Sequence, residues 1–163
     1  MERAGRSGSA EERHLALLAP TALGGYNRAV TLESRQIAVV IDRPVAEVYE
    51  YAFDPANLPE WAPGLGHAVV EVDGQWFVET GAGRVGIAIP PRNDFGVLDH
   101  TITMDSGEVF YNPLRVFPNE EGSEIVFTLR RAPGMTGEEL ERDAGLVAAD
   151  LARLKQILER AEA

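Results

Sequence analysis

The chain has no cysteine, which excludes disulfides, thiolate metal sites and a cysteine nucleophile. Lysine is nearly as scarce, with Lys155 as its one copy, in a charged helical stretch. Schiff-base chemistry therefore has almost no candidate. Positive charge is short overall: 15 Lys and Arg stand against 26 Asp and Glu, a net charge of −11. Nucleic acid and anionic lipid are polyanions, so neither nucleic acid nor a membrane surface is expected as a partner. No apolar run approaches the ~18 residues that span a bilayer. The histidines are His14, His67 and His100, too scattered for metal-ligand spacing, and there is no HExxH pattern. No metal and no cofactor are expected on that ground. Ser7, Ser9, Ser34, Ser106 and Ser123 fall in the leading arm, at strand starts or in turns, so no nucleophile elbow is expected.

What remains is an ordinary globular composition. The 163 residues are 45% apolar and 25% charged, enough for a domain with a real core. Residues 1–30 read as an arm: a small polar start, a short helix over 11–19, and Gly24-Gly25 as a linker. Residues 15–23 are fairly apolar, but Glu2, Glu11 and Glu12 cancel Arg3, Arg6 and Arg13. That is not the charge pattern of a secretion signal, and a cytoplasmic location is expected.

The domain is expected over 31–163. Residues 35–41 are rich in Val and Ile and predict a strand. Pro44 then suits the first turn of a helix, with Asp42 at the positive end of its dipole. Val45, Val48, Tyr49, Ala52 and Phe53 recur at helical spacing up to Asp54-Pro55. A second short helix is expected over 57–61, stopped by Pro63-Gly64. Strands are expected at 67–72, 75–80, 84–89, 95–104, 108–117 and 123–131. The short breaks between them imply antiparallel hairpins. Thr136 and Glu139 have capping-box spacing. From there Leu140, Ala144, Val147, Leu151, Leu154 and Leu158 hold one apolar stripe. The fold class is α+β: a curved antiparallel sheet of about seven strands wrapped on a long C-terminal helix, with two short helices after the first strand.

Two passages carry a family resemblance. One is Ile41-Asp-Arg-Pro44-Val-Ala-Glu-Val48-Tyr49, running on to Asp54-Pro55 and Pro59-Glu-Trp61. The other is the ending Asp150-Leu-Ala-Arg-Leu-Lys-Gln-Ile-Leu-Glu159. Over about residues 31–159 the chain resembles the START-like (SRPBCC, Bet v-type) helix-grip superfamily, and its bacterial polyketide cyclase/dehydrase-like members in particular. The resemblance implies a cavity between sheet and long helix that takes a small hydrophobic molecule of lipid or polyketide type. A cyclase or dehydratase-type lyase and a non-catalytic co-chaperone-like module are the alternatives, and a homodimer is a further partner expectation. The superfamily has no universal catalytic motif, so no catalytic residue is carried over.

The candidate site residues come from the pattern. Gly81-Ala-Gly83-Arg-Val-Gly86 has G-x-G-x-x-G spacing, but Ile87-Ala-Ile-Pro90-Pro91 follows and cannot open the helix that a phosphate site needs, so a hairpin turn is the reading. Asp99 and His100 are adjacent in a strand and point to opposite faces. Leu98, His100 and Ile102 share the more apolar face, which puts His100 in the cavity as the candidate proton-transfer residue, or as a hydrogen-bonded interior histidine. Trp61, Trp76, Tyr111 and Phe127 are the aromatic candidates for the wall, with core packing as the plainer role of each. His67 is placed near the mouth. Arg115 and Arg92 could neutralise a ligand carboxylate or make surface ion pairs.

Overall fold

The computed structural model describes residues 31–80 and 83–160. The expected arm lies outside them, as do Gly81 and Ala82. Strand β1 (Ser34–Ile41) turns its alternate residues Ile37, Val39 and Ile41 inward, and Ile41 is fully buried. Pro44 stands one residue before α1 (Val45–Phe53), and its carbonyl accepts from the Glu47 and Val48 N–H groups. Pro44 offers no side-chain cap, so Glu47 in the first turn is the group that complements the dipole. The Asp54 carboxylate accepts from the Ala56 N–H at 2.9 Å and starts a 3₁₀ turn, Pro55–Asn57, which leads into α2 (Leu58–Trp61).

Two antiparallel sheets follow. The larger has the order β2-β3-β4-β5-β6, formed by Ala68–Val72, Gln75–Thr80, Gly83–Ala88, His100–Thr103 and Val109–Asn112. The smaller joins β1 to β8 (Gly122–Arg130) and β7 (Leu114–Asn119), in the order β1-β8-β7. The helix-grip architecture is as expected, with the curved surface divided into two sections of eight strands. The residues read as one strand over 108–117 break at Pro113, which has no N–H for a ladder. Val109–Asn112 then serves one sheet and Leu114–Asn119 the other.

The segment read as a strand over 95–104 is a ladder only from His100 to Thr103. Before it, Asn93 organises a loop: its Oδ1 accepts from the Phe95 and Val97 N–H groups, and its Nδ2 donates to the Val97 carbonyl. Gly96 has φ +68 and lies against Val116, where a Cβ would come within 2.1 Å of the Val116 carbonyl oxygen. Only glycine satisfies both demands. This close approach lets residues 96–98 bond to β7, through Val116 N–H to Gly96 O and Leu98 N–H to Leu114 O. The loop stitches the two sheets together.

The last element, α3 (Gly137–Arg160), opens with the expected capping box. Thr136 N–H donates to Glu139 at 2.7 Å, and Glu139 N–H donates back to Thr136 Oγ1 at 3.2 Å. Its 24 residues bury Leu140, Leu151, Leu154 and Leu158. Each such leucine contributes on the order of 2 kcal/mol by leaving water. The far end is tied to β1: Glu159 accepts from Asp42 N–H and Lys155 Nζ, and Arg43 Nε donates to the Leu158 carbonyl. A cation on the last carbonyls is also the favourable partner for that end of the dipole. No helix among the described residues is long and apolar enough to cross a membrane.

Candidate ligand pocket

The pocket lies where the short helices face the sheets. Ala52 of α1, Pro55, and Leu58 and Trp61 of α2 form one wall; Ile87, Ile89, Leu98, His100 and Leu114 form the other. No α3 residue contributes to it. This corrects the expected position between sheet and long helix. Leu151, Leu154 and Leu158 of α3 instead pack into the core with Ile41, Val48 and Ile125, all buried. The cavity volume is about 30 Å³, close to the share of one water molecule in the liquid and far below the ~300–1,000 Å³ of typical ligand sites.

Alternation along β5 sets which residues face inward. Leu98 and Ile102 are buried, and His100 between them is on the pocket wall. His100 Nδ1 lies 3.0 Å from the Leu98 carbonyl, which can only accept, so this nitrogen carries the proton. Nε2 then accepts from Asn112 Nδ2 at 3.4 Å, across the register pair His100–Asn112. Burial pushes the His100 pKa below its ordinary value, against the opposing pull of the Leu98 hydrogen bond and the Asp99 charge. The imidazole is therefore neutral at neutral pH. Phe127 of β8 packs behind it, ring centroids 6.4 Å apart.

Trp61 is 7% exposed, and its indole Nε1 is buried with no hydrogen-bond partner among the described residues. Its short helix is held from outside. Tyr51 donates to Glu60 at 2.9 Å, Asn57 Nδ2 donates to the Tyr51 carbonyl, and Arg153 of α3 donates to the Glu60 carbonyl. Burial, together with Glu60, pushes the Tyr51 pKa up to about 12.

The structure thus brings Trp61, Leu98 and His100 together on the pocket wall. Trp76 is partly buried and sits opposite Ile87 in register, on the same face but behind the wall. Ile102 is the register partner of Ile87 on its other side and belongs to the core. His67 is exposed just before β2, its N–H bonded to the Glu79 carbonyl. Arg92 is exposed too, paired with Glu50 and lying over the Phe53 ring at 4.5 Å. Tyr111 corrects the reading more sharply, and Arg115 takes the ion-pair role of its two. Tyr111 is the register partner of Thr101, so it shares the face opposite His100. There its hydroxyl donates to Asp99 Oδ2 at 2.5 Å, while Arg115 donates to both Asp99 oxygens and the Leu114 N–H to Oδ1. Burial raises the Asp99 pKa, but these hydrogen bonds and the Arg115 charge outweigh it and hold the carboxyl below the usual range.

The sequence reading missed Ala52, Pro55, Leu58, Ile87, Ile89 and Leu114 as wall residues. Ile87 and Ile89 alternate at strand period in a run whose apolar residues could have pointed to them. Among the described residues no group of three or more His, Asp or Glu is placed to hold a metal ion.

No protein-family model matches the chain, and no curated protein matches it. Solved structures do. DynU16, a protein of the dynemicin biosynthetic locus, aligns with TM-score 0.60 at 21% identity, over 77% of this chain and 47% of its own. This chain therefore spans about half the length of DynU16. Ara h 8.0201 aligns at 0.57 and 12% identity, covering 80% of this chain and 99% of its own. The Aha1 dimer from Colwellia psychrerythraea aligns at 0.65 and 12%, covering 81% and 100%. These likenesses establish the helix-grip fold.

Proposed function

We propose that the chain binds a small apolar molecule in the pocket between α1, α2 and the sheets, and carries it rather than transforming it. The observation that supports this reading is the pocket wall itself: apolar side chains around a single imidazole whose two nitrogens already face protein partners. Acid–base catalysis needs a proton-transfer group free to reach its substrate, and His100 is not free in this arrangement. Admitting more than a water-sized guest requires the two walls of the pocket to part. DynU16, whose locus makes dynemicin, makes a polyketide-like ligand the first class to test.

Native mass spectrometry of freshly purified full chain, with extraction of any bound molecule, tests the reading. A neutral aromatic or polycyclic molecule of defined mass is expected. A clean apo mass, together with no thermal stabilisation by any of a panel of aryl ketones and polycyclic phenols, would overturn it.

A second reading, a protein-interaction module, is favoured by different residues. Phe95 is 82% exposed and Phe117 44%, and a contiguous patch built on them would mark a partner surface. The Aha1 likeness adds a dimer to the outcomes. Sedimentation of the full chain before and after Phe95→Ser would separate self-association from a monomer.

A further inference from the structure

Trp61 combines two observations that nothing in the packing explains together. It lines the pocket, and its indole N–H is buried without an acceptor among the described residues. An indole nitrogen can only donate, and buried donors are rarely left unpaired in folded proteins. Phenylalanine would fill much the same apolar space without that unmet donor. The rest of the wall offers no competing polar group, since His100 is turned to Leu98 and Asn112. No cation lines the pocket either.

We propose that the Trp61 indole N–H is the recognition donor of the pocket, and that its ligand is a neutral molecule with a carbonyl oxygen accepting from Trp61 and an apolar body against Ile87, Leu98 and Leu114. The inference rests on the binding role proposed above and names the ligand class. A ligand carboxylate would be buried beside a neutral imidazole with no counter-charge, which is strongly unfavourable. An unsubstituted hydrocarbon, admitted by the same parting of the walls, would leave the N–H unmet.

Three probes of similar size separate these cases: acetophenone, ethylbenzene and benzoate. Each is titrated at pH 7.5 into ¹⁵N-labelled full chain, with the Trp61 and Trp76 indole cross-peaks assigned through Trp76→Phe. Acetophenone is expected to shift the Trp61 indole proton downfield, and to bind about ten-fold more tightly than ethylbenzene, the value of one neutral hydrogen bond. Benzoate is expected to bind more weakly than acetophenone by at least that factor. Trp61→Phe should reduce acetophenone to the affinity of ethylbenzene; should that variant not fold, the three probes on the unaltered chain decide alone. Equal binding of ethylbenzene and acetophenone, equal binding of benzoate, or acetophenone binding with the Trp61 proton unmoved would each overturn the inference and leave the binding role standing. If none of the three perturbs any pocket resonance, the binding role itself fails.

Discussion

Asp99 and His100 are neighbours in the chain, yet their surroundings differ in every respect. On the outer face, Asp99 gathers Tyr111, both donors of Arg115 and the Leu114 N–H, and Arg130 lies over the Tyr111 ring at 5.6 Å. Both Asp99 oxygens and the Tyr111 hydroxyl there have partners. On the inner face, His100 is held neutral among apolar side chains, and Trp61 across the cavity keeps an unmet donor. One face is built to hold the two sheets in position; the other leaves a hydrogen bond to be made. A structural role accounts fully for the first and not for the second.

The contrast can be broken from either side. The largest effect is expected from Leu98→Ala, which empties a wall residue that is 3% exposed. It should cost about 3 kcal/mol of unfolding free energy, read from urea titration. Asp99→Ala dismantles the outer cluster and strands the Leu114 N–H. It should cost about 2 kcal/mol, less than for a fully buried pair because Arg115 is 47% exposed and can turn to water. If Asp99→Ala also abolished acetophenone binding without loss of fold, the two faces would prove to be one unit, and the comparison would fail.

Asp150 on α3 sharpens it from a third position. Burial raises its pKa from 3.8 to about 6, only partly countered by Arg153. The folded state therefore binds a proton more readily than the unfolded one, so the cost of the charged carboxylate is present above pH 6 and fades as the pH falls towards 4. Asp150→Asn is expected to stabilise by about 1 kcal/mol at pH 7.5, after allowance for solvent screening, with the gain gone at pH 4. A gain that persisted at pH 4 would refute the electrostatic cause.

The smallest effect concerns His100, whose lowered pKa has the opposite sign. Below its ordinary value of 6.5 the unfolded chain takes up a proton that the buried imidazole resists, so stability falls with pH in that window. His100→Leu should flatten this decline relative to the unaltered chain. An unchanged slope in thermal melts between pH 7.5 and 5.5 would show that the ring is not desolvated.

Much of this fold was legible because local chemistry agrees with it. The Ile41-to-Pro44 passage, the Thr136–Glu139 capping box and the α3 stripe each follow from residues close in sequence. The inward face of Leu98, His100 and Ile102 followed from strand alternation alone. What sequence did not reveal depends on register between strands. Nothing local says that Tyr111 pairs with Thr101, so the sequence leaves Tyr111 a wall candidate and Arg115 either a carboxylate partner or a surface ion pair. Pro113 carried a usable signal, a missing donor in mid-strand, that marks the division between the sheets. The pocket's position against the short helices depends on how the α3 leucines join the core, which is a property of packing and not of pattern.

The pairing of β1 with β8 bears on the order of events in folding. Three of the four hairpins of the five-stranded sheet close over short loops, whereas β1 must find a strand at the far end of the domain, and Asp42 meets Glu159 across 117 residues of chain. Long-range closure of this kind is slow, because chain entropy is lost before any contact forms. The two short helices lie between β1 and β2, so slow closure of the seam is expected to delay their docking, which hydrogen exchange during refolding would show as late protection of residues 45–61.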